Sequence, residues 1–387
     1  MKNGKRKVCV VVTARPSYSR IKTALLAIKK HPKLELQLVV AASALLDRYG
    51  TAIQYMQEDG FDIAARVYMV LEGENPTSMA KTTGLGLLEL ATVFDNLKPD
   101  VVVTIADRYE TLATAVAASY MNLPVAHVQG GEVTGSIDEK VRHAVTKLAD
   151  IHLTATKQAA DRVVRMGEDP ECVYITGCPS IDLAAEVLLD PTLNFDPVTA
   201  YGGVGATLDL SDGYLVVMQH PVTTEYDLAK AHVLETLHAV KESGVATLWF
   251  WPNVDAGSDG TSNGIRGFRE KEQPDNIRFF KNMAPTDFLR LLYHSKCLVG
   301  NSSVGIRECS FLGVPVINIG SRQVGRDRGR NVLDVGYNQE EIRQALRKQT
   351  SNGRYESDTL YGDGKAGQRI ADHLYKSPLH IEKRLAY

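Results

Sequence analysis

The chain lacks any cysteine pair at a metal-binding or disulfide-framework spacing. Its five cysteines, Cys9, Cys172, Cys178, Cys297 and Cys309, are scattered over 387 residues. An odd, dispersed set argues against a disulfide scaffold and a thiolate zinc centre, and fits a reducing compartment. The ten histidines form no HxH or HExxH spacing, so no metal site is expected. Long apolar runs are missing as well. Val8–Val12 is too short for the core of a signal peptide, Arg15 follows it closely, and no stretch approaches the length of a bilayer span. Charge of one sign is not in excess: 44 basic residues face 46 acidic ones, for a formal net charge of -2. That balance offers no general attraction for nucleic acid or an anionic membrane. Neither GxGxxG nor a Walker sequence is present, so a dinucleotide or P-loop nucleotide is not indicated. The expectation is a soluble, cytoplasmic protein without cofactor or metal.

What is present is an alternation. Short β-branched runs at Val8–Val12, Leu34–Val40, Val101–Ile105, Pro124–Val128 and Ile151–Thr154 are separated by stretches of helical period. Tyr18–Lys30, a stretch from Ser43, Arg108–Met121 and a helix carrying Ile137, Val141, Val145 and Leu148 on one face read as those helices. The pattern restarts after the loose stretch Leu189–Gly213, with strands at Tyr214–Gln219, Val245–Trp251, Ile277–Phe280, Cys297–Gly300 and Val314–Ile319. This predicts an α/β protein of two Rossmann-like, doubly wound domains. The first covers 1–185, joined by a C-terminal helix in 366–387, and the second covers 186–365. Ligands of such sheets bind beyond the carboxyl ends of the strands, so residues just after each strand are the ones to inspect.

After the first strand come Arg15, suited to clamp a phosphate oxygen, and Ser19, suited to cap a helix or touch a ligand. Asp107 and Arg108 follow Val101–Ile105, where they can equally pair with each other. Next comes His127-Val128-Gln129-Gly130-Gly131-Glu132, with Asp138 opening a helix. Two acids around a glycine bend, with Asp107 one strand away, can supply the acid and base of proton chemistry. Asp138 is equally an ordinary first-turn acid, and Arg142 is spaced to pair with it. In the second half His220 ends a strand, where a structural role is the more common one, and Pro252-Asn253 ends the next. Gly300-Asn301-Ser302-Ser303 precedes a helix whose N-terminus suits an anion, although Ser302 can also be an ordinary cap. Glu308 sits on the first turns of that helix, placed to accept from a ribose diol. Arg322 follows the last core strand.

Taken together, GGEVTGSIDE (130–139), QHPVTT (219–224), PNVDAGS (252–258), GNSSVGIRE (300–308) and GVPVINIGSRQVGR (313–326) resemble the hydrolysing UDP-N-acetylglucosamine 2-epimerases. The resemblance runs over nearly the whole chain. It implies a GT-B-type fold with an interdomain cleft and the nucleotide held mainly by the C-terminal domain. By motif it implies nucleotide-sugar contacts from Arg15, Ser19, Arg108, His220, Asn253, Ser302, Ser303, Glu308 and Arg322. Asp107, Glu132 and Asp138 would line the reacting sugar, and His220 is also a candidate proton donor. The implied chemistry is anti elimination of UDP followed by water addition, giving N-acetylmannosamine for sialic-acid-type synthesis, without a cofactor, in a homodimer or homotetramer. Three positions depart from the pattern: Gln129 where many relatives carry Glu, Ser17 where Asp is frequent, and Ala106 where Gly is common. An amide cannot exchange protons as a carboxylate does. Gln129 therefore keeps four alternatives open: a 2,4-diacetamido-6-deoxy UDP- or GDP-sugar as substrate, a GT-B glycosyltransferase, a hydrolase that does not epimerise, and a nucleotide-sugar sensor.

Overall fold

A computed structural model describes residues 4–47, 51–73, 75–134, 137–252 and 257–386. The chain divides into two compact units. One comprises the residues up to Glu132, Ile137–Leu183 and those from Tyr361 on; the other comprises Ala184–Leu360 and the short run that begins at Val133.

The first unit is built on seven parallel strands: β1 (Arg6–Val12), β2 (Leu34–Ala41), β3 (Ile63–Val67), β4 (Val101–Ile105), β5 (Val125–Val128), β6 (Ile151–Thr154) and β7 (Val173–Ile175). Their order across the sheet is β3-β2-β1-β4-β5-β6-β7, so the direction of winding reverses between β1 and β4. Alternation of side chains explains why both faces are apolar. Val8, Val10, Val12, Val101, Val103 and Ile105 enter the core on one face, and Cys9, Val11 and Val102 enter the core on the other. Each fully buried aliphatic side chain contributes about 1.5–3 kcal/mol relative to exposure. The C-terminal helix Ala366–Lys376 packs on the helix Lys22–Lys30. Asp182 fixes that crossing: its carboxylate accepts from the backbone N–H of Ala366 at 2.8 Å and Gly367 at 2.7 Å, and from the Thr23 hydroxyl at 2.8 Å. A side chain at 367 would run into the Thr23 backbone, at 2.6 Å, so only glycine permits the approach.

The second unit repeats the plan with β8 (Val204–Gly205), β9 (Leu215–Met218), β10 (Thr247–Phe250), β11 (Ile277–Phe280), β12 (Cys297–Gly300), β13 (Val316–Ile319) and β14 (Val332–Val335). The order is β14-β13-β12-β9-β10-β11-β8, with the reversal between β9 and β12 and the edge strand β8 antiparallel. Leu215, Val217, Trp249, Phe279, Val299 and Ile317 form the core on one of its faces.

The structure redraws several local expectations. Tyr18–Lys30 is two helices, Arg15–Ser19 and Lys22–Lys30, and Ser19 caps neither of them. The stretch from Ser43 is a 3-10 turn, Ala42–Leu45, with a separate helix at Ala52–Glu58. A 22-residue helix, Pro76–Leu97, fills the interval that lacked an assignment, started by an Asn75/Ser78 capping box. No helix among the described residues is long and apolar enough to cross a membrane.

Candidate functional site

The carboxyl ends of β1 and β4 flank the reversal in the first sheet, the position where such sheets hold ligands. Arg15 opens the short helix after β1, and burial pulls its guanidinium down to about 10, so it stays charged near neutrality. Asp107 follows β4 and is buried. Its carboxylate meets the guanidinium of Arg142 and, at 3.7 Å, that of Arg20 across the reversal. Arg142 is itself 1% exposed, and its second amino group donates to the Glu132 carbonyl at 2.7 Å and to the Glu139 carboxylate at 2.9 Å. One guanidinium from the helix Asp138–Leu148 thus fixes the loops after β4 and β5. Sequence spacing offers Asp138 as a partner of Arg142, and the fold adds Asp107 and Glu139. Arg108 turns instead onto the buried Glu110, donating from Nε at 3.2 Å and Nη2 at 3.1 Å, so the Asp107-Arg108 neighbours take different partners. Asp138 is the first residue of its helix and half-buried, and Glu132 is buried.

Two residues here have left-handed backbone without being glycine: Ala106, φ 61°, and Gln129, φ 67°. They occupy equivalent places just past the paired ends of β4 and β5. Such conformations are unfavourable for residues bearing a Cβ and concentrate at functional sites. His127, the penultimate residue of β5, secures the bend: Nε2 lies 2.8 Å from the Ala106 carbonyl and Nδ1 3.2 Å from the Thr146 hydroxyl. Desolvation drives its pKa down to about 4, so the ring is neutral and donates from Nε2. Gly131, also left-handed, brings the backbone so close to Ala159 that a Cβ would lie 2.1 Å from its carbonyl oxygen. Beyond Gln129, the side-chain Nε2 donates to the Cys178 sulfur at 2.8 Å, and that sulfur is 2.9 Å from the Ser180 hydroxyl.

The second sheet has the same construction at its own reversal. His220 lies just past β9 and Asn301 just past β12. The Asn301 side chain accepts from the His220 backbone N–H at 2.7 Å and donates to its carbonyl at 2.8 Å, closing both groups at once. The Asn301 carbonyl in turn accepts from Arg322 at 3.2 Å and Gln323 at 2.9 Å, so Arg322 is tethered to the same loop. Ser302 caps only a four-residue helix, Ser303–Ile306, through its hydroxyl and the Val304 N–H at 3.4 Å. The helix breaks at Arg307, and Glu308 starts a second one, Glu308–Leu312, rather than continuing the first. Arg307 is buried, donates to the Ser303 hydroxyl at 2.8 Å and lies 3.9 Å from the Glu308 carboxylate. Backbone N–H groups, Ser302 and Arg322 therefore gather near the carboxyl ends of β12 and β13, a donor-rich place for an anionic ligand. Asn253 lies outside the described residues.

Arg20, Asn301 and Arg307 carry no role that is evident from the sequence alone. Asn301 and Arg307 stand inside a quoted motif, so their position was available, but pairing across a sheet reversal is a property of the topology. Nothing local marks Arg20.

The family model for UDP-N-acetylglucosamine 2-epimerase matches residues 26–375. The UDP-N,N'-diacetylbacillosamine 2-epimerase (hydrolyzing) of Legionella pneumophila is 32% identical over 377 residues, covering 97% of this chain and 97% of that protein. The UDP-N-acetylglucosamine 2-epimerase of Neisseria meningitidis is 32% identical over 360 residues, covering 93% and 91%. The Methanocaldococcus jannaschii UDP-GlcNAc 2-epimerase, solved with UDP-GlcNAc and UDP, superposes with a TM-score of 0.78 at 18% identity, over 96% of this chain and 100% of that one, and shares the two-unit GT-B-type fold.

Proposed function

Because this chain belongs to the UDP-N-acetylglucosamine 2-epimerase family, we propose that it is a hydrolysing member, converting UDP-N-acetylglucosamine and water to N-acetylmannosamine and UDP. The observation that carries this reading is the single guanidinium of Arg142 holding both the Asp107 carboxylate and the Glu132 carbonyl, which sets acids at the ends of two adjacent strands. In the reaction the C2–H and C1–O bonds break, the C–H electron pair becomes the C1–C2 double bond, and UDP departs with the C1 oxygen. Water then adds its oxygen to C1 and a proton to C2 from the opposite face. Asp107, Glu132 and Asp138 share these proton transfers. Arg15, Ser19, Arg108, Asn253, Ser302, Ser303 and Arg322 contact the nucleotide sugar, the cations and N–H groups among them offsetting charge on the departing diphosphate, and Glu308 accepts from the ribose. His220, positioned by Asn301, is placed as the proton donor to the leaving group. The test is turnover in heavy water. Released UDP together with deuterium at C2 of the product is the expected result, and product without C2 deuterium overturns the elimination route.

A second substrate is favoured by one observation: the Legionella relative, named for a diacetamido sugar, is as similar to this chain as the Neisseria one. Initial rates on UDP-N-acetylglucosamine and UDP-N,N'-diacetylbacillosamine, with UDP quantified by chromatography, separate the two.

A further inference from the structure

Gln129 carries two unfavourable features on one residue. Its backbone is left-handed, φ 67°, and its side-chain Oε1 is buried with no hydrogen-bond partner among the described residues, in a residue 1% exposed. A buried carbonyl oxygen without a donor is rare, and one at the carboxyl end of a strand in a candidate site asks for a donor from a ligand. The neighbouring atoms say why the oxygen is the group left over. Nε2 is committed to the Cys178 sulfur at 2.8 Å, and the sulfur is held in turn by the Ser180 hydroxyl at 2.9 Å, just before and at the start of the helix Pro179–Leu189. The sulfur accepts from the amide, which fixes the amide's rotation and leaves Oε1 as the acceptor on offer. A carboxylate in the same place would set an oxygen, not an N–H, against that sulfur and reverse the direction of this bond.

We infer that Gln129 is a specificity-determining residue whose Oε1 accepts a hydrogen bond from the 2-acetamido N–H of the bound sugar, and that Cys178 is the positioning residue that aims it. The inference rests on the nucleotide-sugar reading above. It makes Gln129 a neutral recognition group, in place of a proton carrier.

The test compares KM for UDP-N-acetylglucosamine with inhibition constants for UDP and for UDP-2-deoxyglucose, which has a hydrogen where the amide stands and so no donor at C2. Gln129→Met removes the acceptor at nearly constant volume. It is expected to raise KM for UDP-N-acetylglucosamine about tenfold, as for one lost hydrogen bond, while the UDP constant stays within about twofold. The preference for the acetamido sugar over UDP-2-deoxyglucose falls accordingly. Cys178→Ala is expected to give a smaller rise in the same KM, and Cys178→Ser, whose hydroxyl still accepts from Nε2, to restore it. Should Gln129→Met fail to fold, Gln129→Asn withdraws the acceptor by one methylene and serves the same comparison. An unchanged preference, or an equal loss of UDP and of the sugar nucleotide, overturns the assignment. A wild-type chain that neither turns over UDP-N-acetylglucosamine nor is inhibited by UDP overturns the nucleotide-sugar reading itself, a result visible before any variant is made.

Discussion

Arg142 and Asp107 stand on different elements 35 residues apart, and their side chains meet where both are buried. The contact joins the helix Asp138–Leu148 to the end of β4, and through the Glu132 carbonyl to the loop after β5. Removing one member of such a pair leaves a buried charge without its main partner, at a cost of about 3–5 kcal/mol. Arg142→Met is therefore expected to lower stability by that order in urea unfolding and to cut the rate of UDP release about 100-fold, because both loops lose their common tie. Arg142→Lys keeps the charge but cannot reach Asp107 and the Glu132 carbonyl together. It should recover part of the stability and little of the rate.

Asn301→Ala tests the matching device in the second unit. The substitution deletes both hydrogen bonds to the His220 backbone and leaves two buried polar groups unsatisfied, about 2–3 kcal/mol in thermal or urea unfolding. His220 and the Ser302–Ser303 loop then lose their register. The expected kinetic signature is a higher inhibition constant for UDP, by about tenfold, with Asn301→Asp intermediate because it still accepts from the His220 N–H.

Both doubly wound sheets were legible because buried parallel strands are written as apolar runs such as Val8–Val12 and Val101–Ile105, with helical period between them. Edge elements were not. β3 (Ile63–Val67) and β7 (Val173–Ile175) are short and partly exposed, and β8 is two residues, so none leaves an apolar run to read. Candidate residues after β1, β4, β5, β9 and β12 can be nominated from their strand ends alone, yet their partners cannot. Helical spacing offers Arg142 a partner in Asp138, but its contact with Asp107 arises only in the tertiary fold. The break at Arg307 was hidden for the same reason: a buried guanidinium taking the Ser303 hydroxyl is a tertiary choice that local propensity does not encode.

Ala106 offers a gain of stability in place of a loss. With φ at 61° its Cβ is disfavoured, and glycine removes the penalty. Against this, glycine frees the unfolded chain, so the net gain expected for Ala106→Gly is about 0.5–1 kcal/mol, read as a higher melting temperature. The carbonyl that His127 bonds is retained. Ala106→Val, with a branched Cβ in the same conformation, is expected to melt well below the wild type.

His127 sets a pH dependence whose sign follows from burial. Desolvation outweighs the bond to the Ala106 carbonyl and lowers the folded pKa from 6.5 to about 4. Between those values the unfolded chain binds the proton and the folded chain does not, so the contribution is fully present above pH 6.5 and is lost as pH falls toward 4. The loss over that window is about 3 kcal/mol. His152, one strand away on β6, is shifted in the same direction by burial despite its contact with Glu168, and adds to the same slope. Urea unfolding at pH 7.5, 6.0 and 5.0 should show stability falling across the series. His127→Gln removes its own titration, so its slope should be shallower even though the variant starts less stable, having lost the neutral ring that bridges Ala106 and Thr146. A variant with the wild-type slope would mean that His127 titrates alike in both states, and that its ring is not the neutral bridge inferred from its burial.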